Sequence, residues 1–368
     1  MSTNSTNLGF RGALRRFGKA AALGLVLFGG SAVLFYSDGF QKMFAAVGAD
    51  VDLPEVAGIE VAQANREAMH AARAAWLEDI NAPAPSIPIG PDGYFAPPSE
   101  DEIPDGPFGE SIRRGRDIFV NTPKYAPQYS GNSQSCVNCH LDAGRKENSA
   151  PLWGAYTKYP MYRGKNKMVN TYQERIKGCF TYSMNAQASP AGGPPPLGDQ
   201  VYLDLEAYAF WLASGAPTGQ VLPGAGYPKV PETELGYDYN RGEKVYAQNC
   251  AICHGDDGQG RREADGSVRF PPLWGPEAYN WGAGMARINT AASFIKYNMP
   301  LSQGQTLSDQ DAWDVAAYIN SFERPKDPRQ TGSLEEARQT FHKNEQSYYG
   351  KEVRGKIIGH GVSREQAL

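Results

Sequence analysis

The sequence predicts an all-α protein containing two tandem helical domains of one design, and three observations carry that prediction. The first is a paired opening, Arg114-Gly115-x-x-Ile118-Phe119 and Arg241-Gly242-x-x-Val245-Tyr246. The second is Cys-x-x-Cys-His followed by Leu-Trp-Gly, at Cys136-Cys139-His140 with Leu152-Trp153-Gly154 and again at Cys250-Cys253-His254 with Leu273-Trp274-Gly275. The third is a closing helix reading Leu-x-Asp-Gln-x-x-x-Asp-x-x-Ala-Tyr, from Leu197 to Tyr208 and from Leu307 to Tyr318. Landmarks recurring in the same order mark an internal duplication. They place one domain at 105–225 and the other at 236–328, with a Gly/Pro-rich linker around 215–235.

The flanks differ from the repeat. Residues 1–19 carry Arg11, Arg15, Arg16 and Lys19 and no acid, and Ala20–Ser37 is an uncharged run of 18 residues ended by Asp38. That length spans a hydrocarbon core, so 1–38 is expected to be a basic cytoplasmic tip with an uncleaved membrane anchor. A removed signal cut near Ala46–Ala49 is the alternative, and Arg15-Arg16-Phe17 is a weak twin-arginine string. Within 39–104, Glu55–Ile80 has the spacing of an amphipathic helix. Residues 81–107 hold eight prolines and predict an extended connector. The tail, 329–368, mixes charges of both signs and reads as a solvated wrap or partner arm.

Composition limits the chemistry. In 368 residues there are 5 Cys and 5 His, so every metal or redox site must be built from ten side chains. A net charge of −4 argues against a nucleic-acid partner. The 41 Gly and 27 Pro imply a loop-rich chain.

Cys-x-x-Cys-His is the attachment signature of c-type haem, with the two thiols bonded to the porphyrin and the histidine on iron. A redox dithiol or half of a zinc site is the bland alternative, but two zinc sites would need more Cys and His than remain. Two covalently bound haem c groups are therefore expected, on Cys136 and Cys139 with His140, and on Cys250 and Cys253 with His254. The domains are accordingly expected to be cytochrome c-type. Haem attachment of this kind belongs outside the cytoplasm, which fits a bacterial periplasmic protein tethered to the inner membrane.

The sixth ligands carry the functional information. In the second domain Met299 follows His254 by 45 residues, with Met285 as competitor. In the first, Met184 lies 44 residues after His140, whereas the repeat favours Cys179: it stands 26 residues after Trp153, as Met299 stands 25 after Trp274. Met161 and Met168 are weaker candidates. Cys179 is also the one thiol left over once both haems are attached. A thiolate ligand lowers the potential and a thioether raises it, so electrons would run from the first haem to the second. Around Cys179 the cations Arg163, Lys165, Lys167, Arg175 and Lys177 face Glu174 alone, a net +4 over 163–177 in an acidic protein. With Ser183 and Asn185 as neutral donors, this suggests an anionic substrate rather than a merely solvated basic face.

These residues resemble the dihaem thiosulfate dehydrogenase (tetrathionate synthase) family. The resemblance runs from about Ile103 to Pro328. It includes Ile103-Pro104-Asp105-Gly106-Pro107-Phe108-Gly109, Glu174-Arg175-Ile176-Lys177-Gly178-Cys179-Phe180, Ser183-Met184-Asn185 and Phe270-Pro271-Pro272-Leu273-Trp274-Gly275. It implies oxidation of two thiosulfates to tetrathionate, or the reverse reduction. In that reading Cys179 is ligand and reactive thiol, Arg175 and Ser183 bind the substrate's oxygens, and a further basic group falls at Arg163 or Lys165. The implied electron partner is a small cytochrome c or a high-potential iron–sulfur protein. A membrane-tethered dihaem electron carrier without a substrate is the alternative, with Met184 as ligand. A dihaem peroxidase ranks below both, because His70, His342 and His360 all lie outside the two domains.

Overall fold

The computed structural model describes residues 67–71, 86–164 and 166–367. The chain divides into two units, 1–85 and 86–368. In the first, residues 67–71 are helical. The remainder of the expected amphipathic helix, and the apolar run 20–37, lie outside the described residues. Among the described residues no helix is long and apolar enough to cross a membrane.

In the second unit seven helices of eight or more residues are described: α1 Pro107–Val120, α2 Tyr172–Tyr182, α3 Gln200–Leu212, α4 Tyr239–Asn249, α5 Ile288–Asn298, α6 Asp309–Asn320 and α7 Leu334–Phe341. Their starts are written in the sequence. Pro107 opens α1, where a missing N–H costs nothing. Thr171 and Glu174 close a capping box on α2. Side chains of Asp199, Asp238 and Ser308 cap α3, α4 and α6.

The duplication is a packing device. In each domain the first helix crosses the last, α1 on α3 and α4 on α6. The repeated glycine sits at the crossing, where a Cβ on Gly115 would overlap the Asp204 carbonyl, and one on Gly242 the Asp314 carbonyl. The adjacent arginine then grips the aspartate of the opposite helix, Arg114 Nε to Asp204 Oδ2 at 2.9 Å and Arg241 Nε to Asp314 Oδ2 at 2.7 Å. Gly for close approach and Arg–Asp for register explain why those residue types recur together. Behind the crossings lie two aromatic-rich cores, one around Ile112, Phe180, Tyr202 and Tyr208, the other around Ile288, Trp313, Val315 and Tyr318.

Three short antiparallel hairpins accompany the helices: β1 Met161–Arg163 with β2 Met168–Asn170, β3 Arg261–Arg262 with β4 Val268–Phe270, and β5 Glu352–Val353 with β6 Lys356–Ile357. They add to the all-helical expectation without changing its core.

Both flanks do more than expected. In the proline-rich stretch an Ile89–Phe95 bridge turns the chain back, and Phe95 is buried against Trp153, Ala213 and Ala225. Residues 86–98 thus line the first domain rather than extend from it. The tail is likewise no solvated arm: Ala337, Tyr349, Val353 and Ile358 form a core with Tyr279, Trp281, Ala283 and Ala286. Its mixed charges are spent at the surface while every few residues an apolar side chain turns inward.

The two domains are joined by buried amides. Asn132 Nδ2 donates to the Ser183 carbonyl at 2.8 Å and to the Ala278 carbonyl at 2.9 Å. Gln134 Nε2 donates to Pro272 O at 2.8 Å, and Asn298 Nδ2 to Asn148 O at 2.9 Å. In the linker, Tyr227 reaches the Cys139 carbonyl at 2.9 Å and packs edge-on against Phe294 of α5.

Candidate active site

Each domain encloses a cavity between its Cys-x-x-Cys-His segment and the helix before its closing helix. The first is walled by Cys136, Cys139 and His140 on one side and by Arg175, Ile176, Cys179, Ser183 and Met184 on the other. The second is walled by Cys250, Cys253 and His254 and by Met285, Phe294, Ile295 and Met299, with Val137, Cys139 and Leu141 of the first domain closing one side.

The residues present fit haem c. His140 Nδ1 faces the Ala150 carbonyl at 2.7 Å, and His254 Nδ1 the Pro271 carbonyl at 2.9 Å. A carbonyl only accepts, so Nδ1 carries the proton in each ring and Nε2 is left with its lone pair for a metal. Burial pulls His140 down to about 4 and lowers His254 as well, keeping both imidazoles neutral as ligation requires. The four thiols of the two motifs are free of disulfides. Apolar side chains, Phe119, Leu152 and Leu205 in one cavity and Phe270, Leu273 and Ile319 in the other, supply the walls a flat macrocycle needs.

The first cavity is the chemically distinctive one. Arg175, Cys179 and Ser183 are spaced by four residues, so α2 and its C-cap present them on one face. Arg175 Nη1 donates to Cys179 Sγ at 2.9 Å. The sulfur is the main reason the guanidinium is held above its usual range. A cation, a thiol and a hydroxyl therefore converge in a mostly apolar space.

The other expected residues fall less evenly. Met184 touches the same cavity but is 2% exposed and packs in the core with Phe180 and Ala186. Met161 and Met168 lie exposed on β1 and β2, outside the cavity wall. Arg163 donates to the Tyr159 hydroxyl at 2.7 Å, and Tyr159 packs on the cavity residue Tyr172, which places Arg163 one layer back. Lys165 lies outside the described residues. Asn185 is buried outside the cavity wall, and its Oδ1 accepts from Asn280 Nδ2 across the domain boundary at 3.1 Å. In the second cavity both Met285 and Met299 reach the wall.

The sequence reading missed Gln134 and Tyr279, which with Cys139 line both cavities and form their common partition. Neither belongs to a repeated landmark, so no spacing pointed to them. The polar residues just before the first Cys-x-x-Cys-His were the available signal for Gln134.

Two Cys-x-x-Cys-His cavities on duplicated helical frames define a c-type cytochrome with an additional thiol-bearing site. Residues 124–218 match the family model described as SoxA/TsdA, cytochrome c domain, and residues 238–319 match Cytochrome C oxidase, cbb3-type, subunit III. The thiosulfate dehydrogenase of Stutzerimonas stutzeri is 55% identical over 74% of this chain and 87% of its own length. That of Thiomonas intermedia is 49% identical over 74% and 84%. The solved thiosulfate dehydrogenase TsdBA of Marichromatium purpuratum, as isolated, superposes with a TM-score of 0.71 at 48% identity, covering 74% of this chain and 58% of that one. The chain belongs to the thiosulfate dehydrogenase family.

Proposed function

We propose that this protein oxidises two thiosulfates to tetrathionate in the first cavity and passes the electrons through the second. The observation that carries the reading is the Arg175–Cys179 contact at 2.9 Å within a cavity that also holds Cys136, Cys139 and His140. Cys136 and Cys139 would hold one haem c and Cys250 and Cys253 another, with His140 and Cys179, and His254 and Met299, as the residues that would ligate them. Bound haem c supplies the one-electron acceptors that the reaction requires.

The protein's own part is sulfur chemistry. Arg175 and Ser183 hold the sulfonate oxygens of the first thiosulfate so that its terminal sulfur meets Cys179 Sγ. Forming that sulfur–sulfur bond from thiolate and thiosulfate releases two electrons. The terminal sulfur of a second thiosulfate then attacks the substrate sulfur of the adduct, giving tetrathionate and returning Cys179 as thiolate. Arg163, one layer behind the wall, adds to the positive field that concentrates the dianion, with Lys165 as the second basic group of that stretch of sequence. Run backwards, the same steps reduce tetrathionate.

The reading is completed by a periplasmic location, with 20–37 as tether, and by a small cytochrome c or high-potential iron–sulfur protein as electron acceptor. Thiosulfate-dependent ferricyanide reduction by the haem-loaded protein tests it, with Cys179→Ala alongside. Turnover abolished by the substitution, with haem content intact, is expected. Turnover unaffected by it would move the chemistry away from Cys179, and no thiosulfate-dependent turnover in the wild type would leave an electron carrier with Met184 as ligand.

A further inference from the structure

Just past α6 lies a cation that neither reading uses. Arg324 is 0% exposed. Its Nη2 donates to Ile319 O at 2.8 Å and its Nη1 to Leu273 O at 3.3 Å. Its guanidinium carbon stands 4.4 Å from the ring centre of Tyr279 and 5.1 Å from that of Trp281. Its Nε is buried without a hydrogen-bond partner, and among the described residues the side chain makes no ion pair. The acids nearby are engaged elsewhere. Glu323 takes Trp281 Nε1 at 2.9 Å and the backbone N–H groups of Gly359, His360 and Gly361. Asp327 is held by Arg329 and His342.

A guanidinium does not shed its proton, so a whole positive charge is buried here with no carboxylate of the described residues paired to it. Burying an unpaired charge is costly and persists where something nearby is served by it. The neighbours show what that is. Leu273, Ile319 and Tyr279 all line the second cavity, whereas Tyr279 alone of the four also borders the first.

We propose that Arg324 is a fixed cation that raises the reduction potential of the haem in the second cavity above that of the haem in the first, giving electrons released beside Cys179 a direction. The proposal rests on the two-haem reading. Adding an electron adds a negative charge, which a fixed cation in a low-dielectric wall favours. The effect falls with distance, so it is larger in the cavity that three of its neighbours line.

The test is a spectroelectrochemical titration of both haems in the full-length holoprotein, comparing wild type with Arg324→Lys, Arg324→Met and Arg324→Gln. Haem is counted first, and one haem per chain would overturn the two-haem reading itself. With two haems present, the charge-free variants should show a lowered second midpoint and a much smaller change in the first, while Arg324→Lys stays near wild type. Arg324→Met guards against misfolding, because an apolar side chain is well tolerated where a buried charge was unpaired. An unmoved second midpoint, equal shifts of both, or a lysine variant that behaves like methionine would each overturn the proposal.

Discussion

The Arg175 guanidinium donates to the Cys179 sulfur across 2.9 Å, from one helical turn earlier on the same face of α2. The spacing of four residues makes that contact local, so the helix alone presets cation and sulfur relative to one another. An arriving dianion then finds a cation already turned inward and desolvated, with a second donor, Ser183, four residues further on.

Removing that cation should therefore weaken substrate capture more than it disturbs the fold. A hydrogen bond to a charged group is worth about 1.5–3 kcal/mol. Arg175→Gln is thus expected to lower kcat/KM for thiosulfate roughly 10- to 100-fold, chiefly through KM. Arg175→Lys should fall between, since an ammonium lacks the planar fork. Steady-state kinetics at constant haem content checks both, and wild-type kinetics in Arg175→Gln would remove the arginine from the site.

The second domain offers two sulfurs, and substitution separates them. Met299 directly follows α5 as its C-cap and lines the second cavity. Met285 packs into both the second core and the core beneath the tail. Met299→Leu should convert the second haem to a form lacking sulfur ligation and drop its potential. Met285→Leu should leave the spectrum intact and cost roughly 1.5 kcal/mol or less of stability. Electron paramagnetic resonance of the oxidised protein distinguishes them, and the opposite pattern would make Met285 the ligand.

What was legible in the sequence was what repeats. The Gly115 and Gly242 crossings, the Arg–Asp grips and the two Cys-x-x-Cys-His turns each occur twice, and each copy vouches for the other. The pairing of Cys179 with Met299 is looser: both line their cavities, but Cys179 lies within α2 whereas Met299 is the C-cap of α5. What was not legible depends on contacts between segments distant in the chain. The partition by Gln134 and Tyr279, the folding-back of residues 86–98 and the buried face of the tail leave no periodicity to read. Proline content suggested a spacer, and nothing local revealed that Phe95 would find Trp153.

The tail carries its own pH dependence. Burial pushes the Asp327 carboxyl up, but hydrogen bonds from His342 and Arg329 outweigh it and hold the group far below the usual carboxylate range. Burial lowers His342, against the pull of Asp327, while its ring stacks on Tyr349 with centres 3.8 Å apart. Both groups bind protons more readily in the unfolded chain, so stability falls as pH falls. The histidine contribution is whole above about pH 6.5 and is lost on acidification from there, and the aspartate contribution follows below about pH 3.9. Thermal melts and limited proteolysis of the tail from pH 7 to pH 5 should show loosening. His342→Gln, which keeps a donor for Asp327 but does not titrate, should flatten that dependence. A wild-type tail equally protected at both pH values would contradict the assignment.

Asn132 ties the substrate helix to the second domain, and its amide can be dissected. Its Nδ2 serves Ser183 O and Ala278 O, while its Oδ1 accepts from the Gln134 N–H at 3.1 Å. Asn132→Asp keeps the acceptor and loses both donations, turning a carboxylate toward two carbonyl oxygens. Asn132→Ala loses all three bonds but adds no charge. Orphaning buried groups costs about 1–3 kcal/mol each, so either change should lower the melting temperature by several degrees. The aspartate variant should be at least as damaging as alanine, because a buried unpaired charge is added to the loss. Both should raise KM for thiosulfate, since the Ser183 backbone is no longer anchored opposite Arg175. A melting temperature unchanged in Asn132→Asp would mean that the amide donor does not hold the boundary, and the burden would pass to Gln134 and Asn280.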